Sequence, residues 1–284
     1  SLLYVGESTE NNSANYPTTK TGSQRVAVNA RKFVMHQMWS GEMEEDSIIP
    51  FIPFLRRQAA RSLGHYSDSL VLNGDTTNAG TGNINLDDAD PANTKHYLAF
   101  DGIRHAALVD NTGNALDVAG GISLARISAL RGLMKDAARF VDWGHPNNAD
   151  DLVFVCDTDT ADAIALLDEC ITVDKFGPQA TILNGQVGRL FRHPVISSMA
   201  VSLTEADGKV STTGANNVKG QIVAFNRRGF VVGDRRMLKV EVERIPGSDQ
   251  TRHVYSTRIG FGRFTPTGAA SGIEAAAVAY NITL

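Results

Sequence analysis

The sequence predicts an α+β protein, and three observations carry that reading. A long one-faced helical period stands early in the chain, an unbroken apolar run lies near the middle, and the last third alternates as strands do. Strands before and after helices, without a regular strand–helix–strand series, point away from a doubly wound sheet.

Residues 1–24 are rich in Asn, Thr, Ser and Gly and hold few large apolar groups, so they predict an arm or long loop without a core. From Arg25 the pattern is extended. Val26, Val28 and Ala30 alternate, and Phe33, Met35, Gln37 and Trp39 continue one residue out of phase, as a β-bulge between two strand halves would give. After the acidic cluster Glu42, Glu44, Glu45 and Asp46, apolar residues recur at helical spacing: Ile48, Ile52, Leu55, Ala59, Leu63, Tyr66 and Leu70. Pro50 and Pro53 restrict the start of this helix, and Asn73-Gly74 supplies its stop. From Pro53 to Leu72, at about 1.5 Å per residue, it makes a rod roughly 30 Å long. Arg56, Arg57 and Arg61 lie opposite the apolar stripe, where a solvated face is their ordinary reading.

Asn73 to Gly121 is irregular with a hairpin expected in its apolar stretch, and Ile122, Ile127, Leu130, Met134 and Val141 mark a second helix ended by Gly144 and Pro146. Leu152 to Cys156 is a strand covered on both faces. Asp157 to Thr160 caps a third helix running through Cys170. Strands follow at Ala180 to Leu183 and Leu190 to Ser197, then a polar stretch, Thr204 to Gly220, that predicts an exposed mobile loop. The remainder is mostly β: Gln221 to Phe225, Phe230 to Val232, Met237 to Arg244 and Arg252 to Phe264, with Ile245 to Gln250 as a connecting loop and Ala275 to Ile282 as a last strand.

Composition narrows the function. The chain has 284 residues, 42% hydrophobic and 20% charged, with a formal charge of -4, which fits a folded globular protein with a substantial core. No stretch reaches the roughly 18 apolar residues of a membrane helix, and the beginning lacks the basic-then-apolar pattern of a secretory signal, so no membrane partner is expected. Cys156 and Cys170 read as buried free thiols. No phosphate-binding loop, dinucleotide fingerprint or nucleophile elbow occurs, and the seven histidines stand at no zinc-ligand spacing, so no catalytic, cofactor or metal residue is assigned. The Glu42 to Asp46 cluster suits a helix N-terminus, and Asp87, Asp88 and Asp90 suit a solvated loop. Charge is unevenly spread. Residues 220–264 carry nine Lys and Arg against four Asp and Glu, a balance of +5 that leaves -9 elsewhere. A basic β-rich region on an acidic body favours self-association of unlike faces, or an anionic partner. Specific nucleic-acid readout is disfavoured by the lack of a known motif and of interleaved stacking aromatics.

Taken in order, several segments resemble one family. They are Tyr4-Val-Gly-Glu7 before a polar loop, the extended segment from Arg25 to Trp39 with Lys32, Ser40-Gly-Glu-Met-Glu-Glu-Asp-Ser47 leading into the long helix that ends Leu72-Asn-Gly-Asp75, Gly188-Arg-Leu-Phe-Arg-His-Pro-Val195, and Phe230-Val-Val-Gly-Asp234. Their order and spacing resemble the major capsid proteins of tailed bacteriophages, with the Hong Kong ninety-seven (Johnson) fold. The resemblance implies a shell subunit, not an enzyme, without cofactors, that assembles with itself into hexamers and pentamers of an icosahedral virion capsid. Packaged double-stranded DNA would be held by confinement. Assembly in the host cytoplasm would involve a scaffolding protein or a cleaved scaffolding segment, a portal protein and a cement or decoration protein. Ser1 in place of Met is read, by the same resemblance, as the mark of such a cleavage during capsid maturation.

The implied organisation is an extended loop in residues 1–24, a first part of the peripheral domain in 25–119 with its spine helix at 53–72, an axial domain in 120–236, and a peripheral-domain β-hairpin with a three-fold loop and C-terminal strand in 237–284. Within it, Glu7 and Glu10 would meet Arg56, Arg57 or Arg61 of a neighbour, and Arg244, Asp249 and Arg252 would make reciprocal ion pairs around the three-fold loop. For each, an ordinary surface charge is the alternative. In the type member a loop lysine crosslinks to an asparagine. Lys20 matches the first, but the second falls near Val254, which has no carboxamide, so a non-covalent shell is expected. An encapsulin, which shares the fold but encloses enzyme cargo, is the alternative. Encapsulins usually begin with a cargo-docking helix, and residues 1–24 have no amphipathic period. A soluble enzyme without a recognisable motif ranks below both.

Overall fold

A computed structural model describes residues 28–47, 51–79, 82–134, 151–167, 186–191, 193–264 and 275–284. The expected arm at 1–24, with Glu7, Glu10 and Lys20, lies outside them, as do Cys170 and the strand expected at 180–183. The elements are β1 (Arg31–Ser40), α1 (Gly41–Glu45), α2 (Phe51–Asn73), α3 (Ile103–His105), β2 (Ala115–Gly121), α4 (Leu124–Leu133), β3 (Leu152–Cys156), α5 (Thr158–Ala165), β4 (Gln186–Leu190), β5 (His193–Ser197), β6 (Lys219–Asn226), β7 (Phe230–Ile245), β8 (Gln250–Arg263) and β9 (Ala276–Thr283). They build two sheets, an antiparallel one in the order β1-β8-β7 and a mixed one in the order β2-β9-β6-β3-β5-β4.

The apolar run of β3 explains the layering. Leu152, Phe154 and Cys156 face a core closed by Ile127, Leu130 and Met134 of the α4 segment and by Ala161 and Ile164 of α5. Val153 and Val155 face the opposite way, against Leu70 and Leu72 at the end of α2, Ile103, Ala107 and Phe261. A strand that alternates its side chains between two cores must be apolar throughout, as the sequence indicated. Burial also pushes the Cys156 thiol up to about 12, so it is an inert core group.

Asp157 ties α5 to the sheet. Its carboxylate accepts from Thr160 N at 2.8 Å and Thr160 Oγ1 at 2.7 Å, as an N-cap, and from Gln221 N of β6 at 3.1 Å. Asp157→Ala removes the cap and strands a buried Gln221 N–H. We expect a loss of about 2–4 kcal/mol by chemical denaturation, where an ordinary cap alone gives about 1.

Several expectations need correction. The phase change near residue 31 marks where β1 begins: 28–30 are not strand, and β1 pairs with β8 from Arg31↔Ile259 to Ser40↔Gln250 without a register break. The acidic cluster belongs to its own short helix, α1, capped by Ser40 Oγ, which accepts from Met43 N at 3.3 Å. No hairpin forms between 73 and 121 among the described residues; β2 instead pairs in parallel with β9, a partner more than 150 residues away. α4 ends at Leu133, and Val141 to Pro146 lie outside the described residues. α5 ends at Ala165, short of Cys170. The two strands expected at 230–244 are one, β7, with register shifts between Asp234 and Lys239. The loop at 204–220 is tethered: Thr204 bridges Lys219, and Asp88 accepts from Ser211 Oγ, Thr212 N and Thr212 Oγ1.

The boundaries expected at 119/120 and 236/237 fall inside β2 and β7 respectively, and the C-terminal strand β9 sits between β2 and β6, away from the hairpin sheet. These divisions are the ones the resemblance implies, and the pairing of β9 with β2 and with β6 joins segments on either side of them.

Candidate assembly surface

The three-stranded sheet presents the surface that concerns function. β7 is an edge strand, and its residues Met237 to Arg244 are all exposed. Leu238, Val240 and Val242 alternate there with Lys239, Glu241 and Glu243, and Val242 is 60% exposed. A free edge carrying half-exposed branched side chains is costly to leave in water and is a ready site for another chain. Beneath it, Met35, Tyr255, Leu238 and Val240 face Arg56, Ala59, Ala60 and Leu63 of α2 across a groove of about 320 Å³.

The hairpin tip is held by its own polar groups. Pro246–Ser248 form a 3₁₀ turn, and Asp249 follows in a left-handed conformation at φ 44°, which Asp tolerates better than most residues. Arg244 Nη2 reaches Asp249 Oδ1 at 3.1 Å across the turn. Gly41 N donates to Asp249 O at 2.8 Å, and a Cβ on Gly41 would stand 2.5 Å from Asp249 Oδ2, so a larger residue where the end of β1 meets the tip would push the Asp249 side chain aside. Arg252 lies directly across from Glu243 and donates through Nε to its Oε2 at 3.1 Å, with Nη2 on the same oxygen. Lys239 holds Glu241 below the usual carboxylate range by a hydrogen bond.

The structure therefore gathers Arg244, Asp249 and Arg252 at one tip and pairs them inside the chain, in exposed contacts worth about 0–1 kcal/mol each. Arg56, Arg57 and Arg61 are exposed on α2, and among the described residues no carboxylate lies within ion-pair distance of them. Glu7 and Glu10 fall outside the described residues. Sequence reasoning missed the exposed apolar row of β7. Its alternation reads the same for a covered strand, and only the sheet order shows that this one is an edge.

Two clusters could hold a cation: Asp75, Asp101 and His105, and Asp87, Asp88 and Glu205. Each completes a local pair, Asp101 with His105 and Asp87 with Asp88, by a residue distant in the chain, Asp75 or Glu205, which spacing does not reveal. In the second, burial first, then Asp88 and Asp207, push the Asp87 carboxyl up to about 6. A raised pKa means that the folded state holds the proton more tightly, so this group's stabilising effect is full below about pH 4 and is lost as pH rises through 6. Asp87→Asn should raise Tm at pH 7.5 by a small amount, about 1–3 °C because solvent screens the site, and change nothing at pH 4. Melting curves at the two pH values check this.

The two sheets, the long helix and the hairpin can be compared with those of known proteins. No family model matches the sequence. The major capsid protein of Escherichia phage T5 is 23% identical over 257 residues, 90% of this chain and 48% of that protein, so the chain spans about half the length of this relative. Among solved structures, a chain from Microbacterium phage Oxtober96 superposes with a TM-score of 0.60 at 14% identity, covering 99% of this chain and 81% of that one. A chain of the bacteriophage PhiM1 mature capsid gives 0.52 at 11% identity, with 98% and 78% covered. The SrpI encapsulin of Synechococcus elongatus gives 0.55 at 14% identity, with 89% and 74% covered. The phage capsid fold expected from the sequence is the fold observed.

Proposed function

We propose that this chain is a major capsid protein of a tailed bacteriophage, a structural subunit that assembles with itself into hexamers and pentamers of an icosahedral shell around double-stranded DNA. The observation that carries this is the match along nine-tenths of the chain to the T5 major capsid protein, in a chain that has the capsid fold. The exposed edge of β7 supports it, because a subunit that lives among copies of itself need not cover that edge alone.

In this reading residues 1–24 reach over a neighbour, with Glu7 and Glu10 meeting Arg56, Arg57 or Arg61, and Arg244, Asp249 and Arg252 meet their equivalents at three-fold positions. The 25–119 segment and the hairpin with its three-fold loop in 237–284 form the peripheral region, the C-terminal strand of that segment joins the six-stranded sheet, and 120–236 surrounds the capsomer centres. A cleaved scaffolding segment or scaffolding protein, a portal and a cement protein complete the assembly, which takes place in the host cytoplasm. The shell is non-covalent, and subunits of mature particles run as monomers on denaturing gels.

An encapsulin is the second reading, favoured by the SrpI likeness. Particle contents separate the two: nuclease-protected double-stranded DNA supports the phage capsid, and a co-purifying enzyme without DNA contradicts it.

A further inference from the structure

We propose that Asp75, Asp101 and His105 form a binding site for a first-row divalent transition-metal ion at the joint between α2 and the helical run 103–110. Asp75 follows the end of α2 and is fully buried. Its Oδ1 accepts from Thr77 N and its Oδ2 from Ile84 N, both at 2.8 Å, so the carboxylate is fixed by backbone donors. Asp101 Oδ1 accepts from Thr76 N at 2.9 Å and Thr76 Oγ1 at 2.8 Å, which anchors the second carboxylate to the same turn. α3 then brings His105 Nε2 to 3.5 Å from Asp75 Oδ1 and 3.9 Å from Asp101 Oδ1.

The imidazole itself points to a ligand. Its side chain is only 7% exposed, yet neither ring nitrogen makes a hydrogen bond among the described residues, and Nδ1 is wholly buried. Distance decides between a proton and a metal. An imidazolium bonded to a carboxylate would sit about 2.7–2.9 Å from it, whereas all three carboxylates here stand 3.4–3.9 Å away. Two ligand atoms each about 2.1 Å from an ion at a tetrahedral angle are roughly 3.4 Å apart. The Nε2 to Asp75 separation meets that value, and the three ligand atoms lie within 4.8 Å of one another.

The surroundings agree. Asp110 Oδ2 lies 3.4 Å behind Nδ1 and is itself held by Arg263 Nη2 at 2.6 Å, the place of an outer carboxylate that orients a metal-bound imidazole. Arg104 is buried beside Asp75, but it donates to Asn73 Oδ1 at 2.7 Å and Gly208 O at 3.0 Å, leaving the Asp75 oxygens available. One imidazole with two carboxylates suits Zn²⁺ or Mn²⁺ better than Ca²⁺ or Mg²⁺, which prefer oxygen alone. The ion would clamp the turn after α2 to the helical run and so to the end of β8.

The test is titration of EDTA-treated full-length protein with ZnCl₂ at pH 7.5 by calorimetry, with melting curves in parallel. The site predicts one ion bound per chain and a Tm raised by several degrees. His105→Gln should abolish binding, Asp110→Asn should weaken it about tenfold, and His36→Gln, on exposed β1, should leave it unchanged. If His105→Gln folds poorly, Asp101→Asn carries the test: it keeps the Oδ1 acceptor for Thr76 and should weaken binding at least tenfold. Absence of saturable Zn²⁺ binding, or equal binding by wild type and Asp101→Asn, overturns the site.

Discussion

Arg252→Glu should abolish particle formation while leaving the subunit folded. Among the described residues this arginine pairs only with Glu243, on an exposed strand face, so reversal places two like charges in water and costs the fold about 1 kcal/mol or less. In the proposed shell the same change would be repeated at every three-fold position, where like charges facing each other would oppose closure. We expect particle yield to fall at least tenfold, with Tm within about 3 °C of the parent. The charge swap Arg252→Glu with Glu243→Arg restores the internal pair. It should stay defective, because the neighbour still meets the wrong charge at 252. Normal particles from the single variant refute the proposed contact, and rescue by the swap would confine Arg252 to shaping its own hairpin.

Gly74→Ala should give the largest loss of stability of any variant considered. A Cβ on Gly74 would stand 2.2 Å from Phe100 O and 2.8 Å from Leu70 O, both backbone atoms that cannot rotate away. The crowding is built in: Gly102 N donates to Gly74 O at 2.8 Å, and a Cβ on Gly102 would in turn stand 2.7 Å from Gly74 N. We expect a cost of about 3 kcal/mol or more, with Tm lowered by at least about 6 °C. Gly64→Ala is the contrast. It lies inside α2 with nothing within 4 Å of its added Cβ, so better helix propensity should stabilise by up to about 1 kcal/mol. Equal melting temperatures for Gly74→Ala and wild type would contradict the close approach.

The Gly74 result bears on what the sequence could reveal. Asn73-Gly74 reads as a helix stop, and α2 does end at Asn73, but the glycine is required by the approach of the 100–102 backbone, not by a left-handed turn. Local periodicity identified α2, the doubly covered β3 and the β8 strand, because helix and strand spacing are short-range properties. What it could not show was pairing between distant segments. Nothing near Ala115 announces that it will lie beside Val278, and nothing near Leu238 announces an edge. The candidate contacts divide in the same way. Arg244, Asp249 and Arg252 were legible as a charged cluster because they flank one turn, and the structure adds that they are already paired. The Asp75, Asp101 and His105 group was illegible, since Asp101 and His105 alone are a common helical spacing and Asp75 stands thirty residues before the histidine.

Imaging of the purified, assembled protein by electron microscopy tests the shell proposal most directly. It predicts closed icosahedral particles built from hexameric and pentameric capsomers, with the β7–β8 hairpin at three-fold positions. A protein that remains a monodisperse monomer under every assembly condition, or particles whose three-fold contacts exclude that hairpin, would contradict it.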